Sequence, residues 1–456
     1  MYPDLTYLHV SLPEDIQRMK WHGDFNRAIR VIERRIEGDI PEALRKRLIL
    51  EKDILKRMPD NYPHTWEQAL SIMDERIQDF RPEELDALRD ENAIEWIYVD
   101  GQVRVKGNFF SNLMMRPELA ARVKDASFLR PSSASFLDDL IARAKKQGGL
   151  AYRLHLRSTM TFTPDEAHRD KTVRAWLPLP VEYAQVHNFQ LLSTSQKPLA
   201  VSAPDYPHRT ICFDVDLSKT DKAEVEYSFE SHMPYIEPDP AQVYLEGQPT
   251  FYTQEQLPHI AFTPYLRQLT RSVIGHEKNP LLKARRIYEY ITDKVNYSFV
   301  RYYCTFENIS DFVATSFKGD CGMQALLFIT MCRIAGVPAR WQSGLYAEPG
   351  SVGMHDWAQF YVAPYGWMFA DCSFGGSAHR NGSEERRWFY FGHLEPFRVP
   401  AASEFLHPLY PPTHFLRCDP CDNQVGEAEY SDGGLMDGGG FDTDHQLLSY
   451  EEIPLK

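Results

Sequence analysis

Long apolar runs are missing from this chain of 456 residues. A membrane-spanning helix needs about 20 predominantly apolar residues in succession, and the sequence has no such stretch. Met1 is followed by Tyr-Pro-Asp, with neither a basic start nor an apolar stretch of the kind that marks a secretion signal. We therefore expect a cytoplasmic protein with no membrane span and no membrane partner.

Positive charge is also in short supply. The chain has 50 Lys and Arg residues against 64 Asp and Glu residues, which gives a net charge of -14. A surface with this balance repels a phosphate backbone unless its basic residues are strongly segregated. Nucleic acid is therefore not an expected partner.

Cysteines are few, and repeats are absent. Seven cysteines, an odd number in a chain without a recognisable secretion signal, favour reduced thiols over a disulfide framework. A catalytic thiol is compatible with that state. No fixed-period repeat and no sustained heptad pattern occurs, which excludes solenoids and coiled coils.

The length predicts two or three domains, since a single hydrophobic core rarely grows to 456 residues. We expect a helical N-terminal domain over residues 1–135 and a β-sandwich-like domain over residues 150–240. A catalytic core then occupies residues 255–400, and a C-terminal extension occupies residues 401–456.

Residue periodicity supports this division. Apolar residues recur at helical intervals from Phe25 to Ile36, Pro41 is placed to begin the next helix, and Asp100-Gly101 favours a tight hairpin turn within residues 98–105. Alternating apolar and polar residues around Tyr152 are typical of half-buried strands.

The tail has a different composition. From about Glu427 it is rich in Gly and Asp, which offers little burial energy per ordered residue. We expect a loosely attached terminus.

The candidate catalytic nucleophile is Cys321, which lies in the motif Gly319-Asp-Cys321-Gly322. An apolar helical pattern follows and closes with Gly336-Val-Pro338, so Cys321 is predicted to lie at a helix N-terminus. The free N–H groups and the positive dipole end at that position favour a thiolate, the form that attacks carbonyl carbon. We therefore expect Cys321 to be unusually acidic.

His355 and Asp371 lie on two strand-like runs joined by a turn at Ala363-Pro-Tyr-Gly366. The histidine is the candidate base, and the aspartate is the candidate carboxylate that fixes the imidazole tautomer. A turn centred on Pro364 and Tyr365 would set Asp371 opposite Ala358. The pattern then requires a bulge or bend to bring His355 towards Asp371.

Together these motifs resemble the transglutaminase-like superfamily. The similarity covers about residues 255–400 and rests on Gly319-Asp-Cys321, Ala335-Gly-Val-Pro-Ala-Arg340, His355-Asp-Trp357 and Gly366-Trp-Met-Phe-Ala-Asp371. The resemblance implies an α+β, papain-like core in which a helix-borne cysteine packs on an antiparallel sheet. It also implies a triad of Cys321, His355 and Asp371. One departure from the family pattern is Gln359, where many members carry an acid.

The implied activity is hydrolysis or acyl transfer at an amide of a peptide or protein substrate, through a thioester on Cys321. We expect a protease or amidase rather than a cross-linker, with no cofactor and no catalytic metal. The backbone N–H of Cys321 is one expected oxyanion donor. The second donor stays open, because nothing in the sequence selects Tyr302 or Tyr303. The alternative is an inactive transglutaminase-like module that binds peptide without turning it over.

A second cysteine motif, Cys418-Asp-Pro-Cys421, follows His407 and His414 and so has zinc-like content. No second CxxC pair accompanies it, and the histidine spacing is not that of a standard finger. We favour a proline-bound turn with two buried thiols.

Overall fold

The computed structural model describes residues 5–129 and 134–455. The first residues of the chain, from which we argued that a secretion signal is missing, lie outside these ranges. Helices dominate the N-terminal part, two sheets form the middle, and helices and strands alternate in the rest. The fold class is therefore α+β, as predicted.

Within its described residues, the N-terminal part combines eight α-helices with one small sheet. Its elements are α1 Glu14–Trp21, α2 Phe25–Ile36, α3 Glu42–Arg57, β1 His64–Thr65, α4 Trp66–Arg76, α5 Pro82–Asp90, β2 Trp96–Val99, β3 Gln102–Val105, α6 Phe109–Leu113, α7 Pro117–Ala120 and α8 Ala134–Gln147. The predicted hairpin is confirmed as β2 and β3. Its turn residues Asp100 and Gly101 have φ values of 50° and 76°, the left-handed conformation that this tight turn requires.

The middle part forms two four-stranded sheets. Its strands are β4 Gly149–Phe162, β5 Thr172–Pro178, β6 Val186–Thr194, β7 Ala200–Val201, β8 Thr210–Asp216 and β9 Lys222–Pro234. The two remaining strands come from the other end of the chain, as β17 Glu427–Glu429 and β18 Phe441–Ile453. The sheet orders are β17-β5-β8-β7 and β18-β4-β9-β6.

The expectation of a loosely attached C-terminus is wrong. Strand β18 pairs with β4 from Phe441 opposite Phe162 to Ile453 opposite Ala151, and β17 pairs with β5. Main-chain hydrogen bonds to existing sheet edges stabilise this segment despite its polar composition. The composition of the tail does not reveal these partners, because β4 and β5 lie far away in the sequence.

The predicted core contains the remaining elements. These are α9 Pro264–Ile274, α10 Pro280–Lys294, β10 Asn296–Tyr297, α11 Ile309–Ser316, β11 Lys318–Gly319, α12 Cys321–Ile334, β12 Ala339–Glu348, β13 Ser351–Val362, β14 Gly366–Ala370, α13 Cys372–Arg380, α14 Glu384–Phe389, β15 Phe391–Gly392 and β16 Arg398–Ala402. Five of these strands form an antiparallel sheet in the order β15-β14-β13-β12-β16.

Helix α12 packs against this sheet, with the rings of Phe328 and Phe360 in edge contact. One contiguous apolar cluster includes Ile32 of α2, Leu154 of β4 and Leu327 of α12. The domain boundaries remain predictions, since the hydrophobic core runs across them. Among the described residues, no helix is long and apolar enough to cross a membrane.

Candidate active site

Helix α12 begins at Cys321, as predicted. The preceding residue Asp320 caps the helix, because its Oδ1 accepts a hydrogen bond from the Met323 N–H at 3.1 Å. The hydroxyl group of Tyr303 donates to the same carboxyl group. Residues 322–333 are buried, whereas Cys321 itself is half-buried.

Gly322 allows the start of this helix to approach the sheet closely. A Cβ atom at this position would collide with the Asp356 carboxyl group and the Tyr303 hydroxyl group, and would lie 2.8 Å from the Trp341 ring. Any side chain here would therefore push α12 away from β13. The small residue next to Cys321 is a requirement of packing.

The Cys321 thiol lies against Asp356, the residue that follows His355 on β13. Its sulfur is 3.5 Å from Asp356 Oδ2, and the Asp356 backbone N–H also donates to it. No hydrogen bond joins Cys321 to His355 within residues 5–129 and 134–455. The sulfur therefore contacts the strand one residue beyond the predicted base.

His355 and Asp371 do meet. His355 Nε2 is 2.7 Å from Asp371 Oδ2, and the same oxygen accepts from Arg398 Nη1 at 2.9 Å. Asp371 Oδ1 accepts from the Phe374 N–H at 2.9 Å and from the Ser373 hydroxyl at 3.0 Å. Burial alone would raise the pKa of Asp371, but His355 and Arg398 together hold it well below its usual value. The contact between His355 and the ionised Asp371 therefore uses the Nε2 atom of the imidazole.

The register of this hairpin differs from the prediction by one residue. Residues 363–365 form a three-residue loop, so Ala370 rather than Asp371 lies opposite Ala358. Asp371 follows directly after β14, next to the position of Trp357, and its side chain lies diagonal to His355. The bulge that we expected between the two strands is unnecessary. A register shift occurs instead where β12 pairs with β16, between Ser343 and Gly344.

The expectation of an acidic Cys321 is also wrong. Burial raises the pKa of its thiol well above the ordinary value, and the nearby carboxyl groups of Asp356 and Asp320 raise it further. These effects outweigh the helix N-terminus, whose field is modest and local. The sequence showed the helix start but not the carboxyl groups that fold against it.

The aromatic and polar residues of the motif have structural partners. Trp357 is fully buried and donates from Nε1 to Gln342 Oε1 at 2.5 Å, in keeping with a core role. Gln359, the departure from the family pattern, accepts from Arg340 Nε at 2.9 Å. Arg340 also lies 3.8 Å from the centroid of the Trp367 ring, so its partners are an amide and an aromatic face rather than an acid.

The Cys418-Cys421 segment lies in the irregular chain between β16 and β17. Both thiols are free and buried, and the Cys418 sulfur accepts a hydrogen bond from the Asp437 N–H at 3.4 Å. Over the described residues, no group of three or more His, Cys, Asp or Glu side chains is arranged to hold a metal ion.

Sequence reasoning missed three residues that complete the surroundings of the site. Asp356 enters the sequence analysis only as the middle residue of the His355-Asp-Trp357 motif, although its position beside His355 was a usable signal. Tyr303 was named but not selected, and its hydroxyl group contacts the helix cap. Arg398 had no signal, because nothing in the sequence relates β16 to the end of β14.

Comparison with known proteins gives a family for part of the chain. Residues 267–372 match the model of the Transglutaminase-like superfamily. This region is a transglutaminase-like core, and Cys321, His355 and Asp371 all lie within it.

The individual proteins that this chain resembles share low sequence identity with it. An uncharacterized protein of Haemophilus influenzae is 24% identical over 230 residues, which cover 43% of this chain and 62% of that protein. The match thus spans less than two thirds of the relative.

Two solved structures are also similar. A candidate cysteine protease from Cytophaga hutchinsonii has 14% identity and a TM-score of 0.44, and the alignment covers 68% of this chain and 94% of that one. The periplasmic domain of TgpA from Pseudomonas aeruginosa has 15% identity and a TM-score of 0.28, with 54% and 94% coverage.

Proposed function

We propose that this protein is a cysteine-dependent hydrolase or acyltransferase that acts on an amide of a peptide or protein. Cys321 is the nucleophile, His355 the general base and acid, and Asp371 the carboxylate that orients the imidazole. The observation that carries the proposal is the 2.7 Å contact of His355 Nε2 with an ionised Asp371. This contact lies within the transglutaminase-like core, in which helix α12 begins at Cys321.

The proposed reaction begins when His355 Nδ1 accepts the proton of the Cys321 thiol. The sulfur then attacks the substrate carbonyl carbon, and the developing oxyanion is stabilised by the backbone N–H of Cys321. As the carbon–nitrogen bond breaks, His355 returns its proton to the departing amine. Water, or a second amine, resolves the thioester and regenerates the thiol. Hydrolysis is the outcome that we favour.

An activated acyl ester tests this proposal without knowledge of the natural substrate. The protein is incubated with p-nitrophenyl acetate, and the acetyl group is located by peptide mass spectrometry. We expect a thioester on Cys321 that is absent in Cys321→Ala, with acylation slowed by about 10²-fold or more in His355→Ala. Equal acetylation of the parent and the His355 variant would contradict the assignment of the base.

One observation favours the alternative, a module that binds peptide without turnover. The raised pKa of the Cys321 thiol disfavours the thiolate in the resting site. A parent protein that forms no thioester, yet binds peptides, would support this function instead. We also propose that the protein is cytoplasmic and that its substrate is a peptide or protein.

A further inference from the structure

Asp356 places a buried carboxyl group directly beside the nucleophilic sulfur. The residue is 4% exposed, its Oδ2 lies 3.5 Å from Cys321 Sγ, and its Oδ1 accepts a hydrogen bond from the Gln424 side chain. These two contacts of the carboxyl group are made inside the protein.

A second buried carboxyl group adjoins the first. Asp422 is 2% exposed and is hydrogen-bonded to Asp356, while the Ser343 hydroxyl group donates to its other side. Asp422 and Gln424 belong to the irregular segment between β16 and β17. This distant segment therefore supplies two of the groups that surround the Asp356 carboxyl.

Within the described part of the chain, neither carboxyl group forms an ion pair with a cationic side chain. Among the ion pairs of the described residues, none includes Asp356 or Asp422. Arg417, on the same segment, pairs with Glu427 at 3.2 Å and also donates to the backbone carbonyl of Asp422. Two adjacent buried carboxyl groups without a cation do not both ionise, so the pair retains a proton.

The other titratable groups that face Asp356 are themselves acids. Asp320 caps α12, Asp419 lies on the same segment as Asp422, and the Tyr303 hydroxyl group donates to Asp320. Burial raises the pKa of Asp320 to about 6 and that of Asp419 to about 8. The charges of Lys106 and Arg417 act on Asp320 and Asp422 respectively, without forming an ion pair with either.

We propose that the Asp356 carboxyl group, coupled to Asp422, is the element that keeps the Cys321 sulfur protonated in the resting site. The inference rests on the proposed function, because it concerns the regulation of the same nucleophile. A thiolate beside the partly charged pair is repelled, whereas a fully protonated Asp356 can donate its O–H to the sulfur anion. The thiol proton itself still passes to His355, so Asp356 is neither consumed nor oxidised.

The test measures how alkylation of Cys321 depends on pH. Iodoacetamide labelling is followed at Cys321 by peptide mass spectrometry between about pH 6 and pH 10, a range that covers ordinary thiol ionisation. The other six cysteines are buried, which favours labelling of Cys321. We expect the full-length parent protein to show a labelling midpoint above that of an ordinary thiol. A midpoint at or below the ordinary value would overturn the proposal without any variant.

Two neutral variants sharpen the test. Asp356→Asn and Asp356→Ser both remove the ionisable carboxyl group beside the sulfur, so either one that folds is sufficient. We expect the midpoint to fall by about one pH unit or more, which corresponds to about tenfold faster labelling near pH 7. An unchanged or higher midpoint in a folded variant would overturn the proposal.

Asp311→Asn is the matched control. Asp311 is a half-buried carboxyl group on α11 that bonds to Thr263 at 2.8 Å and has a pKa raised by burial. Its removal leaves the labelling midpoint of Cys321 unchanged if the effect is local, and a shift as large as that of Asp356→Asn would refute a specific role.

The two proposals fail in different ways. Loss of the thioester in Cys321→Ala, together with coincident midpoints in the parent and Asp356→Asn, removes only the role of Asp356. A lowered midpoint in Asp356→Asn, with no thioester in the parent, removes the proposed activity and leaves the control of the thiol intact.

Discussion

His355 and Asp356 are neighbours on β13, yet their side chains enter buried networks of opposite electrostatic character. Around His355, the Asp371 carboxylate lies 2.7 Å from the imidazole and 2.9 Å from Arg398. Around Asp356, the partners are a second carboxyl group, Asp422, and an amide. Burial raises the pKa of Asp356 well above its usual value, whereas the contacts with His355 and Arg398 lower the pKa of Asp371.

The contrast shows that burial does not decide the charge of a carboxyl group. Asp356 and Asp371 are equally inaccessible, at 4% and 1% exposure, so their partners make the difference. One network holds a negative charge beside the His355 imidazole. The other shares a proton between two carboxyl groups beside the Cys321 sulfur. Changing the partners of either carboxyl group should therefore change the site in a predictable direction.

The largest effect on stability is expected from Asp371→Ala, which removes the carboxylate that contacts His355 and Arg398. Arg398 is fully buried and would keep only Glu395 as an ionic partner. Removing one member of a buried ion pair typically costs about 3–5 kcal/mol, and the value here should lie towards the lower end because Glu395 remains. Urea-induced unfolding, monitored by tryptophan fluorescence, measures this loss.

Asp138→Ala supplies the control for that measurement. Asp138 pairs with Arg386 at 2.9 Å, but its side chain is 54% exposed. Exposed pairs contribute about 0–1 kcal/mol, so this variant should unfold almost like the parent protein. Similar losses in the two variants would mean that burial of the Asp371 pair has no special consequence.

An intermediate effect on stability is expected from Gly322→Ala, which disturbs the surroundings of Asp356. The added methyl group would collide with the Asp356 carboxyl group and the Tyr303 hydroxyl group. Overpacking of this kind costs about 1–3 kcal/mol, and it should also alter labelling of the adjacent Cys321. Denaturant midpoints and iodoacetamide rates measure the two consequences.

Gly353→Ala is its matched control on β13. A Cβ atom there meets nothing within 4 Å, and the backbone does not require glycine. This variant should retain both the stability and the labelling rate of the parent. A loss equal to that of Gly322→Ala would show that the close contact at the helix start is unimportant.

The sequence alone predicted much of one network and almost none of the other. Helix α12 begins at Cys321, as predicted, because a capping residue such as Asp320 acts locally. His355 and Asp371 were paired correctly, since both belong to one hairpin. The register failed by one residue because loop length depends on backbone geometry that composition does not specify.

The second network could not be predicted because it is assembled from distant segments. Asp356 and Asp422 are 66 positions apart, and no local pattern relates β13 to the irregular chain before β17. Strand β18 was missed for a similar reason, since its stability depends on the edge of β4. The acidity of Cys321 was consequently predicted with the wrong sign.

The smallest expected effect, and the closest test of the comparison, is on the pH dependence of stability. A carboxyl group whose pKa is raised on folding holds its proton more tightly in the folded state. Its contribution to the free energy of unfolding therefore falls as pH rises above the unfolded pKa of about 4. Asp371, whose pKa is lowered, has the opposite sign: its contribution is present above that pH and is lost on acidification.

In Asp356→Asn, the decline in the free energy of unfolding between about pH 5 and pH 8 should be smaller by about 1 kcal/mol, as measured by urea unfolding at several pH values. Part of the decline should persist, because Asp320 and Asp419 also have raised pKa values. Parallel curves of unfolding free energy against pH for the parent and Asp356→Asn would mean that Asp356 ionises alike in the folded and unfolded chains. The buried partners of Asp356 would then have no effect on its ionisation.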